Sequence, residues 1–152
     1  MYYFLLSLHS LVRWFVLFSL LFSLFMALRG VIRKSVFTPF ANAVRHWTAT
    51  TAHIQLMIGA TLYVHSPVIK NATVGSGALI NSGTFFRYLH LALMVIAIVL
   101  ITIGSAKAKR MTTDLEKYHT MLRWYSSGVV VIFLAIPWPF YELVARPLIR
   151  NF

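Results

Sequence analysis

Four apolar stretches, each about as long as a membrane-crossing helix, occupy residues 2–28, 44–65, 85–106 and 118–138. A helix needs about 20 predominantly apolar residues to cross the hydrocarbon layer of a bilayer. These stretches and the joints between them use the whole chain of 152 residues, which leaves no room for a second domain. The sequence therefore predicts a single all-α domain over 1–152, an integral membrane four-helix bundle with up-down-up-down topology.

The composition excludes the common soluble classes. Apolar and aromatic residues make up 59% of the chain and charged residues only 11%, whereas a soluble domain has about 25% charged residues. Fourteen Lys and Arg against three acids would suggest nucleic acid in a soluble protein, but here they are spread between apolar stretches, so no nucleic-acid partner is expected. The absence of cysteine excludes disulfides, thiolate zinc sites and iron–sulfur clusters.

The joints between the stretches carry signals for helix boundaries. Thr38 followed by Pro39, and Thr113 followed by Asp114, are typical of a helix N-cap and first turn. Residues 66–84 are rich in glycine and asparagine, which predicts an irregular loop between the second and third helices.

Basic residues are unevenly divided between the two sides of the predicted bundle. The first and third connections hold eight: Arg29, Arg33, Lys34, Arg45, Lys107, Lys109, Arg110 and Lys117. The second connection and the C-terminal tail hold four: Lys70, Arg87, Arg146 and Arg150. Because cytoplasmic loops carry the excess of Lys and Arg, we expect a multi-pass protein of the cytoplasmic (inner) membrane with both termini outside the cytoplasm. Trp138, Phe140 and Tyr141 would then form an aromatic belt on the outer side.

Each predicted helix contains a histidine within its span, His9, His53, His90 or His119, while His46 and His65 lie at the two ends of the second stretch. A polar residue inside a membrane span is by default a functional candidate. In an up-down-up-down bundle the diagonal pairs are His9 with His90, in the outer half, and His53 with His119, in the inner half. Two facing imidazoles are what a b-type haem needs as axial ligands, so the sequence predicts one or two haems. The inner pair is mismatched in depth by about 10 Å at 1.5 Å per residue. Alternatively, the histidines are interfacial or bond a neighbouring helix.

Small residues lie about two turns after three of these histidines. Gly59 and Ala60 follow His53 along the second helix, Ala97 follows His90, and Ser126, with Gly128 nearby, follows His119. They provide clearance for a flat macrocycle, or they simply let membrane helices approach one another.

Two segments, beginning at His9 and at His119, share an arginine four residues after the histidine and then a tryptophan. This spacing places Arg13 beside His9, and Arg123 beside His119, on one helix face. If these two guanidinium groups are buried they need counter-ions, for which only Glu142 is in reach of Arg13 and only Asp114 or Glu116 of Arg123. An anionic partner such as a haem propionate or a lipid headgroup would fill this gap. The alternative is that both arginines anchor the helices at the membrane interface.

Several of these stretches together resemble a known family. They are His9-Ser10-Leu11-Val12-Arg13-Trp14, His53-Ile54-Gln55-Leu56-Met57-Ile58-Gly59, Ile101-Thr102-Ile103-Gly104 with Ala106-Lys107-Ala108-Lys109-Arg110, and Ile136-Pro137-Trp138-Pro139-Phe140. They resemble a family of short four-span bacterial membrane proteins commonly labelled "cytochrome B", over nearly the whole chain. The resemblance implies b-type haem bound through His9, His53, His90 and His119. The architecture is also similar to that of four-helix di-haem cytochromes that exchange electrons with quinones.

These observations predict a membrane electron-transfer protein of a respiratory chain with one or two bis-histidine haems b. It would exchange electrons with quinone and with a redox partner, and whether it is an enzyme stays open. The alternative is a cofactor-free accessory subunit of a larger membrane complex. A transporter is less well supported, because the spans contain no acidic residue.

Overall fold

The computed structural model describes residues 1–70 and 82–138, and every element in these two ranges is helical. Helix α3 begins with a π-helical segment, Phe85–His90, which continues as the α-helix Leu91–Arg110. The four long helices are α1 (Tyr2–Arg33), α2 (Pro39–His65), α3 (Phe85–Arg110) and α4 (Asp114–Ala135).

The long helices contact one another in a closed ring. Helix α1 packs against α2 and α4, and α3 packs against the same two helices, so that α1 and α3 lie diagonally opposite. The joints 34–38 and 111–113 are short, which makes the helices that they connect antiparallel neighbours. The side chains of Leu20, Ile101 and Tyr125 are completely buried where the helices meet.

Both N-terminal signals that the sequence predicts are confirmed. The hydroxyl of Thr38 accepts a hydrogen bond from the backbone N–H of Ala41 at 3.2 Å, and Pro39 is the first residue of α2. Thr113 and Glu116 form a complete capping box at the start of α4. Hydrogen bonds from the Thr113 side chain and backbone to its carboxylate hold the pKa of Glu116 below its usual range.

Glycines allow the closest approaches between helices. A Cβ at Gly30 would lie 2.6 Å from the ring of Tyr118, where α1 crosses α4. A Cβ at Gly128 would lie 2.8 Å from Ile101, and 3.6 Å from the carbonyl oxygen of Ala97. Of the two interpretations of Ala97 and Gly128, helix packing is therefore the one that the structure supports.

Two of the four long helices have the length and hydropathy of a membrane span: α1, with a mean hydropathy of 2.2 in its most apolar window, and α3, with 2.4. Only 33% and 22% of those windows are buried, so most of this apolar surface points outward. Helices α2 and α4 do not reach the same hydropathy, because polar residues such as Arg45, Gln55 and Arg123 interrupt them. Of the four predicted membrane spans, two therefore form helices with the length and hydropathy of a span.

The structure also corrects details of the sequence analysis. Most basic residues that the sequence assigns to connections lie instead in the end regions of the long helices: Arg29, Arg33, Arg87, Lys107, Lys109, Arg110 and Lys117. Arg45 differs from these because it lies within α2 and is only 4% exposed. The predicted irregular loop 66–84 begins and ends with the helical turns Pro67–Lys70 and Ser82–Thr84. Outside the described residues lie the rest of that loop, part of the predicted aromatic belt and the tail arginines: residues 71–81, Phe140, Tyr141, Arg146 and Arg150.

Candidate functional site

A cavity of about 410 Å³ lies between all four long helices, at the end of the molecule where α1 and α3 begin. We call this the cavity end. The volume is within the range of about 300–1,000 Å³ that is usual for cofactor and ligand sites. Most of the lining is apolar, but one histidine from each of two opposite helices, His9 of α1 and His90 of α3, reaches it. The structure therefore brings together one of the two histidine pairs that the sequence predicts.

His90 is the last residue of the π-helical segment of α3, a conformation that often occurs at functional sites. Its Nδ1–H donates a hydrogen bond of 2.8 Å to the carbonyl oxygen of Ala135. Ala135 ends α4, and the last carbonyls of a helix have no partner within the helix. The bond assigns the proton to Nδ1, so the lone pair of His90 Nε2 is free to bind a ligand.

His9 is held by packing against α2. A Cβ at Gly59 would lie 3.2 Å from His9 Cε1 and 3.6 Å from Nδ1, so no larger residue would leave the ring in this position. The Nδ1 atom is buried and makes no hydrogen bond within the described part of the chain. Buried polar atoms are normally paired, so His9 has an unused donor or acceptor at the cavity.

Gln55 is a further polar residue of the cavity, and the sequence analysis did not select it. Its Nε2 donates a hydrogen bond of 2.9 Å to the backbone carbonyl oxygen of His9. Its Oε1 is buried and has no hydrogen-bond partner among the described residues. The available signal was its spacing, because Gln55 and Gly59 are four residues apart and share a face of α2.

Arg13 lies one turn after His9 and lines the same cavity. Its guanidinium carbon is 5.3 Å from the ring centroid of Trp14. Among residues 1–70 and 82–138, those that line the cavity include no carboxylate. The site thus combines two histidines with one positive charge, which suits a ligand that carries a metal ion and an anionic group.

The other predicted site residues lie elsewhere. His53 is exposed on the outer surface of α2, with Nδ1 2.7 Å from the carbonyl oxygen of Ala49 and Nε2 3.1 Å from Thr102 Oγ1 of α3. His119 is half-buried near the start of α4, at the opposite end of the molecule from the cavity, and Arg123 is exposed. None of His53, His119 and Arg123 lines the cavity, so their predicted role as a second haem site stays a prediction.

Arg45 forms a second polar cluster, far along α2 from the cavity. Its Nε and Nη2 donate to Asn42 Oδ1 at 3.1 and 2.9 Å, and its Nη1 donates to the carbonyl oxygen of Ser105 at 2.9 Å. The hydroxyl of Tyr125 donates to the carbonyl oxygen of Arg45 at 2.8 Å. These bonds join α2, α3 and α4, so we assign this cluster a structural role.

Within residues 1–70 and 82–138, no group of three or more His, Asp or Glu side chains is placed to hold a metal ion. A haem iron needs fewer protein ligands, because the macrocycle occupies its four equatorial positions and two axial imidazoles complete the coordination.

No family model matches the chain, and neither a curated protein nor a solved structure matches it. The class of the protein therefore rests on its own fold and site. It is an all-helical protein in which two opposite helices each present a histidine to one central cavity.

Proposed function

We propose that this chain is a membrane electron-transfer protein that holds one b-type haem between His9 and His90. The observation that carries the proposal is that these two residues, from diagonally opposite helices, reach a single cavity of about 410 Å³. A haem between them would receive one axial imidazole from each side. His90 Nε2 is available for this bond because Nδ1 is engaged by the Ala135 carbonyl.

The proposal includes a bilayer around the four helices. Large apolar side chains point outward along α1, among them Phe15, Phe18 and Phe25, which are 60%, 70% and 60% exposed. A soluble protein rarely exposes a continuous apolar surface of this kind, whereas lipid covers it without cost. Helices α2 and α4 would cross beside α1 and α3, with polar groups such as Arg45 and Gln55 turned toward the other helices.

The residues that line the cavity offer a haem two imidazole ligands, a positive charge and apolar contacts. Gly59 leaves room for the His9 imidazole, and the side chains of Met94 and Ile98, which line the cavity, would provide apolar surface for the haem. Arg13, which lines the same cavity, would place its positive charge beside a propionate. When bound, the haem supplies one-electron redox chemistry, while the chain orients it and excludes water.

Ligation by two histidines leaves the iron without an open coordination position. Such a site carries electrons and does not bind oxygen or other small gases. The cavity extends to the end of the bundle where α1 and α3 begin, and there it is lined by Tyr2, Tyr63 and Pro137. We propose that electrons pass there between the haem and a quinone in the adjacent lipid or a redox partner at the membrane surface.

The test is spectroscopic. The chain is expressed with added haem precursor and purified in mild detergent, and its oxidised and dithionite-reduced spectra are recorded with and without carbon monoxide. We expect a sharp α-band on reduction that carbon monoxide does not alter. A chain purified without haem that also fails to take up added haemin would refute the proposal. A reduced band that shifts with carbon monoxide would refute bis-histidine ligation.

A second candidate function, a cofactor-free accessory subunit, is favoured by a different observation. The imidazole of His53 and the hydroxyl of Thr102 lie together on the exposed seam between α2 and α3, near mid-helix. Polar side chains at membrane depth usually face protein, so a neighbouring subunit would cover them. Native electrophoresis of solubilised membranes tests this: a His53→Leu variant that leaves a large assembly intact would refute it.

A further inference from the structure

We infer that Gln55 is a positioning residue for the haem ligand His9: when His9 Nε2 binds iron, the Gln55 side-chain oxygen accepts the hydrogen bond from His9 Nδ1–H. The inference rests on the proposed function. It assigns a role to two buried polar atoms, His9 Nδ1 and Gln55 Oε1, that have no hydrogen-bond partner within the described residues.

The Gln55 side chain is already anchored beside His9. Its amide nitrogen donates to the His9 carbonyl oxygen at 2.9 Å, a bond that crosses from α2 to α1. The amide oxygen is attached to the same carbon atom, so it lies close to His9 as well. Because Oε1 is an acceptor only, the partner that it lacks is a donor.

The ring of His9 is turned so that its Nδ1 side faces the helix face of α2 that carries Gln55 and Gly59. The Cβ position of Gly59 is 3.6 Å from Nδ1 and 3.2 Å from Cε1, and no other ring atom of His9 lies within 4 Å of it. Gly59 is one turn after Gln55, on the same helix face. The Nδ1 edge therefore faces α2, and Nε2 is directed away from Gly59.

Iron binding determines which atom carries the imidazole proton. A neutral histidine that ligates through Nε2 has its proton on Nδ1. Leaving that N–H buried without an acceptor is unfavourable, because the donor loses its water and gains no partner. Gln55 Oε1 is the unpaired acceptor at this position, just as the Ala135 carbonyl oxygen is the acceptor for His90 Nδ1. Both axial ligands would then have an oriented tautomer.

An acceptor on Nδ1–H makes an imidazole a stronger donor to the metal. A stronger donor stabilises the ferric state relative to the ferrous state, which lowers the reduction potential. Removing the acceptor is therefore expected to raise the potential. A purely structural role for Gln55, in tying α2 to α1, would change stability and leave the potential where it is.

The experiment is a redox titration of the purified haem-loaded protein and of two variants. Gln55→Leu removes the acceptor, and we expect the reduction equilibrium constant to rise about tenfold, which is about 59 mV for one electron. Gln55→Glu keeps an oxygen acceptor of similar reach, and we expect its potential to equal that of the unmodified protein or to lie below it. Thr51→Val is the matched control, because Thr51 lies one turn earlier on α2 and its hydroxyl lies 3.4 Å from Ser19 Oγ, away from the cavity.

The outcomes separate the inference from the proposed function. Failure of the unmodified chain to bind haem would refute the proposed function. Haem-loaded Gln55→Leu with an unchanged potential, or a shift of the same sign and size in both variants, would refute the role of Gln55 while leaving the haem site in place. If Gln55→Leu does not retain haem, Gln55→Glu decides: a potential raised above that of the unmodified protein would overturn the inference.

Discussion

His9 and His90 reach the same cavity by different means. The ring of His90 is held by a hydrogen bond to the free carbonyl at the end of α4, whereas the ring of His9 rests against the backbone of Gly59. The first arrangement depends on where a helix ends, and the second on the absence of a side chain. Single substitutions at the supporting residues are therefore expected to affect the site without changing the ligands themselves.

Gly59→Ala is expected to weaken haem binding and to leave the fold intact. The added methyl group would lie 3.2 Å from His9 Cε1, so the ring must shift by a few tenths of an ångström toward the cavity. Because axial ligation is sensitive to such shifts, we expect the haem dissociation constant to rise about tenfold. Haem titration followed by absorbance measures this, and thermal unfolding of the apo-protein serves as the control. Unchanged haem affinity would contradict the packing argument.

The residue-level geometry also shows what the sequence could and could not reveal. The pairing of His9 with His90 follows from helix order and depth alone, and both residues do line one cavity. The exposure of His53 could not be inferred in the same way, although a residue two positions before Gln55 points about 200° away around an α-helix. The sequence does not show which face of α2 meets α1, because that depends on how the helices pack. Gln55 therefore could not be assigned.

Among the elements, α3 and α4 form the closest pair. Two glycines let them approach: a Cβ at Gly104 would overlap Cβ of Trp124, and one at Gly128 would press on Ile101. Trp124 Cβ is attached directly to the backbone, so it has no freedom to move aside. The contact surface between α3 and α4 therefore tolerates no added volume at Gly104.

Gly104→Ala is expected to destabilise the protein. Overpacking of a well-packed interior costs about 1–3 kcal/mol, and an overlap with a Cβ atom belongs at the upper end of that range. Chemical unfolding in detergent, followed by circular dichroism, measures the change. Val130→Ala is the control, since Val130 lies on the exposed face of α4 at 58% exposure. Equal stability of the two variants would contradict the close approach of α3 to α4.

The start of α4 provides a test at the same scale. Thr113→Ala removes the N-cap hydroxyl and is expected to cost about 1 kcal/mol of stability.

The carboxylate of Glu116 makes the stability of the fold depend on pH. Because the pKa of Glu116 is lowered in the folded protein, its carboxylate stabilises the fold above the unfolded-state pKa, and this stabilisation is lost as the pH falls through the folded-state pKa. Glu116→Gln should remove this part of the acid dependence. Unfolding midpoints measured from about pH 6 to about pH 3 test both statements, and identical profiles for Glu116→Gln and the unmodified chain would contradict the second.

For the whole molecule, the distribution of charge distinguishes the two ends. The end opposite the cavity carries seven basic residues: Arg29, Arg33, Lys34, Lys107, Lys109, Arg110 and Lys117. The described part of the cavity end carries Lys70 and Arg87, together with Arg13 inside the cavity. Because Arg45 is buried, the number of basic residues assigned to the end opposite the cavity falls from eight to seven, and this end is still the more basic one. Charge asymmetry was therefore readable from the sequence, whereas the interior position of one arginine required the fold.

This asymmetry predicts the orientation in the membrane. A reporter that is active only in the cytoplasm, inserted in the joint 111–113, should be active, because the basic end of the bundle stays inside. The same reporter fused after residue 152 should be inactive, and a reporter that is active only outside the cytoplasm should give the opposite pattern. Activity of the cytoplasmic reporter at residue 152 but not in the joint would reverse the orientation.

The assignment of the two haem ligands is tested most directly by the ratio of haem to protein in purified variants, measured as the pyridine haemochrome. We expect about one haem per chain in the unmodified protein and in His53→Ala, since His53 lies outside the cavity. We expect almost none in His9→Ala and in His90→Ala. Retention of haem by both of these variants, or its loss from His53→Ala alone, would contradict the assignment of His9 and His90 as the ligands.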